Sequence, residues 1–217
     1  MIGIIYFLYL KANLPQLFLT LKKLKYPVHL FEIILINDDS TDNSEAISNE
    51  FKNSNPQLHI SVLKNQQPKL AKKAAINTGI NSAEKEYIIT TDADCEVPEN
   101  WLTEFDCFIQ KTEVKFISGP VVFEKGKGLL NIFQRIDFMS LQGATIGGFG
   151  IGKAFMCNAA NLCYDKSTFT ALKGFSGNEK IASGDDIFLL EKMQSAGHKI
   201  GYLKSKSAII STQSQPT

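Results

Sequence analysis

The chain of 217 residues is long enough for one well-buried domain or two small ones, with the 44% hydrophobic and 21% charged content of an ordinary globular protein. A formal net charge of +1, with lysines only in short patches near 22–25 and 69–73, leaves no electrostatic footprint for nucleic acid. The cysteines at 95, 107, 157 and 163 form no C-x-x-C and the three histidines are scattered, which excludes zinc and thiol-redox spacings and points to free thiols in a reducing compartment.

The first stretch, "MIGIIYFLYLKANLP", is apolar for about ten residues, half of what a bilayer span needs. It has neither a basic leader nor a small-residue cleavage site, so a buried first strand near Gly3–Phe7 is expected. Leu14, Leu17, Leu21 and Leu24 then recur at helical spacing. "FEIILIN" is a continuous apolar run that suits a parallel strand covered on both faces. "DDSTDNSEAISNEF" opens a helix, with Asp42 and Glu45 in capping-box spacing. "LHISVLK" reads as a third strand, "AKKAAINTGINSA" as a helix, "EYIITTD" as a fourth strand and "ENWLTEFDCFIQ" as the helix after it. Repeated β-α order predicts an α/β fold, a mostly parallel sheet with helices on both faces.

From about Lys115 the pattern becomes less regular. "VKFISGPVVF" reads as one strand, and "GATIGGFGIGK" as a glycine-rich loop; "GLLNIFQRIDFMSL" is a long helix whose apolar stripe either packs on the core, the favoured reading, or lies at a membrane interface. "DDIFLLEKMQSAG" is a late helix. The expected organisation is a single domain over 1–217, with 1–114 as one half and 115–217 as a second half on the same sheet. No stretch is long enough to span a membrane.

Ligands of open α/β sheets bind beyond the carboxyl ends of the strands. Acidic pairs collect there: Asp38 and Asp39 after the second strand, Asp92 and Asp94 after the fourth, and Asp185 and Asp186 at the start of the late helix. Each has a plain structural alternative. Asp39 and Asp42 can end a strand and cap a helix, and Asp185 and Asp186 suit a first helical turn. The D-x-D pair differs, because residues i and i+2 of an extended segment point the same way. Both carboxylates can face one Mg²⁺ or Mn²⁺ ion that also binds a diphosphate, or one can take the ion and the other a sugar hydroxyl. The rival "GGFGIGKA" nearly spells a phosphate-binding loop, but Ala154 stands where the metal-binding hydroxyl belongs, and the segment follows a helix.

"FEIILINDDSTDNS", "KLAKKAAINTGI", "EYIITTDADCEVPENWL" and "SGDDIFLL" resemble, in order and interval, the family-2 glycosyltransferases, inverting enzymes of GT-A fold that use nucleotide-sugar donors. The similarity runs from about Asn13 to the last residues. It implies that Asp38 contacts the base or ribose of the donor, and that Lys72 lies near the nucleotide although Ala71 replaces the usual glycine. It further implies that Asp94 is the main ligand of Mn²⁺ or Mg²⁺, with Asp92 toward ribose or metal. Asp186 would be the general base, and Asp185 replaces the family's glutamate in a substrate-binding position. The donor implied is a UDP-sugar, and the acceptor a saccharide or lipid-linked hydroxyl. The setting implied is cell-envelope polysaccharide synthesis at the cytoplasmic face of the membrane, with peripheral membrane contact.

Two departures accompany the resemblance. The family's first strand ends in a polar tip, where this chain has Leu8, Tyr9 and Leu10. Many membrane-associated members continue into a Q-x-x-R-W segment and membrane helices, whereas this sequence stops at "TQSQPT". The alternative reading is therefore a catalytically impaired nucleotide-sugar-binding fragment of the same fold. A nucleotidyltransferase would need a glycine-rich basic loop after the first strand, and "FLYLKANLP" has none.

Overall fold

The computed structural model describes residues 1–8, 14–38, 40, 42–65, 71–178 and 184–212, with side chains for all of these but 5–8, 71 and 72. The first half follows the expected alternation: β1 (Ile2–Leu8), α1 (Leu14–Lys22), β2 (Phe31–Asn37), α2 (Ser44–Asn53), β3 (Ile60–Lys64), α3 (Ala71–Ser82), β4 (Tyr87–Asp92), β5 (Cys95–Glu96) and α4 (Trp101–Thr112). The second half comprises β6 (Phe116–Ser118), β7 (Val121–Phe123), α5 (Leu129–Gly150), β8 (Leu162–Asp165), α6 (Lys166–Ala171), α7 (Asp185–Ser195), β9 (Ile200–Tyr202) and β10 (Ile210–Thr212).

Seven strands form the main sheet in the order β3-β2-β1-β4-β8-β6-β9, and β8 alone runs antiparallel to its neighbours. Successive residues of β2 show why helices cover both faces. Ile33 and Leu35 join a core with Leu17 of α1, Phe51 of α2 and Trp101 and Phe105 of α4. Ile34 and Ile36 point the other way, to Ile76 and Ile80 of α3, Phe169 of α6 and Leu189 and Met193 of α7. The apolar run "FEIILIN" is buried at every position, Glu32 included.

Four expectations are corrected. "VKFISGPVVF" is not one strand: Gly119 and Pro120 break it, so that β6 stays in the main sheet while β7 joins a small sheet of order β5-β10-β7. A Cβ on Gly119 would sit 2.4 Å from the Asn161 side chain, so the break needs glycine's missing side chain as well as proline's missing N–H. The glycine-rich "GATIGGFG" is helical to Gly150 and extends α5 by two turns, because the groups that would close a loop there bond within the helix. Nor does α5 turn its whole apolar stripe to the core, since Leu129, Phe133, Ile136 and Met139 stay exposed. It packs on β7 and β9 through a narrow stripe that includes Phe138, stacked 4.3 Å from Phe123, and Phe149, 5.8 Å from Tyr202. The expected capping box is replaced by a shorter turn contact before α2. Asp42 Oδ1 accepts the Ser44 amide at 2.9 Å, but α2 starts one residue too late for Glu45 to reach back.

Candidate active site at the strand ends

In the parallel register Leu8 lies opposite Asn37 and Phe7 opposite Asp92, so β1, β2 and β4 end level with one another. Asp38 and Asp92 therefore leave the sheet on one edge, two strand spacings or roughly 10 Å apart. Because β8 runs the other way, the residues before it return to this same edge: Leu162 pairs with Thr90, and the 3-10 turn Ala159–Asn161 sits just beyond. The Thr90 hydroxyl donates to the Ala159 carbonyl at 3.1 Å and ties the turn to β4. The Ala159 amide in turn donates to Asp186 Oδ2 at 3.1 Å, which fastens the N-terminus of α7 to the edge.

Asp92 closes β4, but Ala93 and Asp94 form a turn between β4 and β5 rather than the extended segment expected. Burial nonetheless alternates, with Ala93 and Cys95 buried and Asp92 and Asp94 half-buried. Their proximity registers on Cys95, whose thiol is pushed up to about 12 by burial and then by Asp92 and Asp94. Asp94 is anchored from the far end of the chain: Thr212 of β10 donates to its Oδ2 at 3.1 Å. No local motif marked Thr212, since only the pairing of β10 with β5 brings it there.

At the tip of β2, Asn65 donates to Asp38 Oδ1 at 2.5 Å. Glu45 accepts from Asn37 at 3.2 Å and pairs with Lys64 at 3.2 Å, fixing the start of α2 beside the strand end. Asp39 lies outside the described residues, as do Tyr9, Leu10 and the side chain of Lys72. The neighbouring lysine is the one with a described acidic partner. Lys73 Nζ pairs with Asp185 Oδ1 at 3.1 Å, both side chains being about one-eighth exposed, and it also donates to the Asn178 carbonyl. Asp185 thus joins α7 to α3, while Asp186 carries the next carboxylate toward the edge. Gly184, with φ of 80°, supplies the left-handed turn that starts α7 with both aspartates in its first turn, where the helix dipole favours them. A cavity of about 180 Å³ lies beneath the pair, walled by Ile76, Leu162, Phe175 and Leu189 and by Tyr164, whose buried hydroxyl lacks a hydrogen-bond partner among the described residues.

A separate group, Glu32, His59 and Glu84, brings ligand atoms within 4.8 Å of one another, but at the opposite end of β2. There Glu32 Oε1 accepts the amides of Glu84 at 2.7 Å and Lys85 at 2.9 Å and holds the turn into β4.

The sequence profile of glycosyl transferase family 2 matches residues 2–163. Glycosyltransferase AglE of Haloferax volcanii is 23% identical over 177 residues, covering 82% of this chain and 55% of AglE. Among solved structures, S. aureus TarS 1-349 in complex with UDP-GlcNAc superposes with a TM-score of 0.74 at 16% identity, over 100% of this chain and 59% of that one. The mannosyltransferase PcManGT from Pyrobaculum calidifontis, in complex with GDP-Man and Mn²⁺, gives 0.75 at 16% identity, over 97% and 56%. The chain thus spans little more than half the length of these proteins, and shares with the two structures the GT-A arrangement of its mostly parallel sheet. With three-quarters of its length inside the family profile, the chain belongs to glycosyl transferase family 2.

Proposed function

We propose that this domain transfers a sugar from a nucleotide-sugar donor, most simply a UDP-sugar, to a hydroxyl of a saccharide or lipid-linked acceptor, with inversion at the anomeric carbon. The observation that carries the reading is the convergence of Asp38, Asp92, Asp94 and Asp186 on one edge of the sheet, from three segments of the chain. Ligands of open α/β folds bind at such an edge. The nucleotide-sugar complexes of the two structural neighbours support the same donor class.

In this reading Asp38, oriented by Asn65, receives the base or ribose, and Lys72 lies near the nucleotide. Asp92 and Asp94 would hold Mn²⁺ or Mg²⁺. Hard carboxylate oxygens suit either ion, and the neighbouring Cys95 thiol is buried, with burial holding it in its protonated, poorly ligating form. Such an ion supplies charge neutralisation on the diphosphate as it leaves. Thr212 restrains one Asp94 oxygen and so limits which face of the carboxylate is offered.

Asp186 takes the proton of the acceptor hydroxyl as its oxygen bonds to the anomeric carbon. The sugar–phosphate bond breaks on the opposite face, and its electron pair stays with the nucleoside diphosphate. Asp185, held by Lys73, sets the angle at which α7 presents its neighbour.

The test is calorimetry of UDP binding with and without Mn²⁺, on the wild type and on Asp94→Asn. The expected result is Mn²⁺-dependent binding weakened about tenfold or more in the variant, the usual scale for losing a charged ligand contact. A folded wild-type chain that binds no UDP in the presence of Mn²⁺ would overturn the transferase reading in favour of an impaired fragment.

A further inference from the structure

Helix α5 exposes what the rest of the molecule hides. Leu129 is 86% exposed, Phe133 67%, Ile136 63% and Met139 61%, with Leu130 and Ile132 each at 48%. Leu129, Ile132, Phe133, Ile136 and Met139 follow at i, i+3, i+4, i+7 and i+10, so they share one face. Beyond the helix Ile151 and Phe155 continue the exposure. Single exposed leucines are ordinary, but a continuous bulky stripe over three turns marks an interaction surface.

We propose that this face of α5 docks on an anionic lipid surface. Charge supplies the first argument. Lys125 and Lys127 stand exposed just before the helix and Lys153 just after it, and from residue 124 to 155 four basic side chains accompany only Glu124 and Asp137. An apolar helical face bracketed by lysines is the pattern of a helix lying in a headgroup region. Shape supplies the second. The bulky stripe is one helix wide, and its C-terminal continuation is Ser140, Gly143, Ala144 and Gly147, all exposed. That is little apolar area for a second copy of the chain, since stable protein interfaces bury roughly 1,200–2,000 Å². A bilayer accepts a single narrow wedge. Among the described residues no helix is long and apolar enough to cross a membrane, so the contact lies along the surface.

The position is useful if the transferase reading holds. The C-terminal end of α5 leads into the Ala159–Asn161 turn that holds Asp186, so lipid contact would set the acceptor side of the site against the membrane.

The experiment is co-sedimentation with phosphatidylcholine vesicles, with and without about 30% phosphatidylglycerol. It compares the wild type, Phe133→Glu/Ile136→Glu and Lys125→Glu/Lys127→Glu. The wild type should bind the anionic vesicles, and each double variant should partition about tenfold less or weaker. Light scattering without lipid and UDP calorimetry accompany it. Unchanged UDP binding in the variants shows an intact fold, and separates failure of lipid docking from failure of the donor reading. Wild type that stays in solution, variants that bind equally well, or a lipid-free dimer that Phe133→Glu/Ile136→Glu converts to monomer would each overturn the proposal.

Discussion

Asp186 shows how a single carboxylate can be held and still work. Oδ2 accepts from the Ala159 amide at 3.1 Å and Oδ1 from the Ile187 amide at 2.9 Å, two of the roughly four lone-pair sites a carboxylate offers. Asparagine in its place keeps an oxygen that can accept the Ala159 N–H, but it cannot take a proton from an acceptor. Asp186→Asn should therefore leave UDP affinity within about threefold while lowering sugar transfer at least 100-fold, the lower range for a general base. Calorimetry and release of UDP from the matched donor measure the two; transfer within tenfold of wild type would remove Asp186 from the base role. At this scale the acidic residues were legible, because carboxylates at strand ends stand out against apolar runs. Their partners were not. Thr212 meets Asp94 across 118 positions of sequence, and Lys73 meets Asp185 across more than 100, distances at which no local pattern operates.

Among elements, the fastening that matters is a short turn and one asparagine. Asn161 is fully buried, accepts from Trp101 Nε1 at 3.0 Å, and donates to the Pro120 and Ala208 carbonyls at 2.8 and 3.0 Å. It thereby joins α4, the β6–β7 break and the approach to β10. It also adjoins Ala159 and Ala160, so the same turn reaches Asp186. Asn161→Ala would strip the Trp101 indole N–H and the Ala208 carbonyl of this partner, at about 1 kcal/mol or more each, while the Pro120 carbonyl keeps the Ile210 amide at 3.1 Å. The expected loss of about 2 kcal/mol corresponds to a melting temperature lower by roughly 4–8 °C for a chain of this size. A shift under about 2 °C in thermal unfolding would show that water replaces the side chain at little cost. Most elements of the first half were readable because β1, β2 and β4 are long apolar runs and α1 repeats its leucines at helical spacing, whereas the two-residue β5 carries no such signal. The second half resisted because its strands are three or four residues long, and β6 and β7 share one apolar run divided only by Gly119 and Pro120. In α5 the glycines suggested a loop, yet packing of the helix's last turns, with Phe149 against Tyr202, outweighs their low helix propensity.

For the molecule as a whole, stability against acid should hinge on Asp165, where the sheet hands over to the short helix α6. Burial alone would push this carboxyl up. Hydrogen bonds from the Ser167 hydroxyl at 2.6 Å, the Thr168 hydroxyl and amide at 2.7 Å each, and Lys115 Nζ at 3.1 Å outweigh it and hold the group at about 2. The folded state thus favours the ionised form relative to the unfolded chain, in which an aspartate titrates near 3.9. The resulting contribution, on the order of 2 kcal/mol, is complete above about pH 4 and is lost as the pH falls through about 2. Asp165→Asn should lose stability of this order at neutral pH, since the ionised acceptor has gone while the site stays buried. In return its unfolding free energy should fall less steeply than that of the wild type between about pH 4 and pH 2. Urea unfolding across that window measures both slopes. Parallel curves would mean that the acid sensitivity of the fold resides in other carboxylates. Converging curves would assign it to the junction of β8 and α6, on the face of the sheet that also carries α7 and its two aspartates.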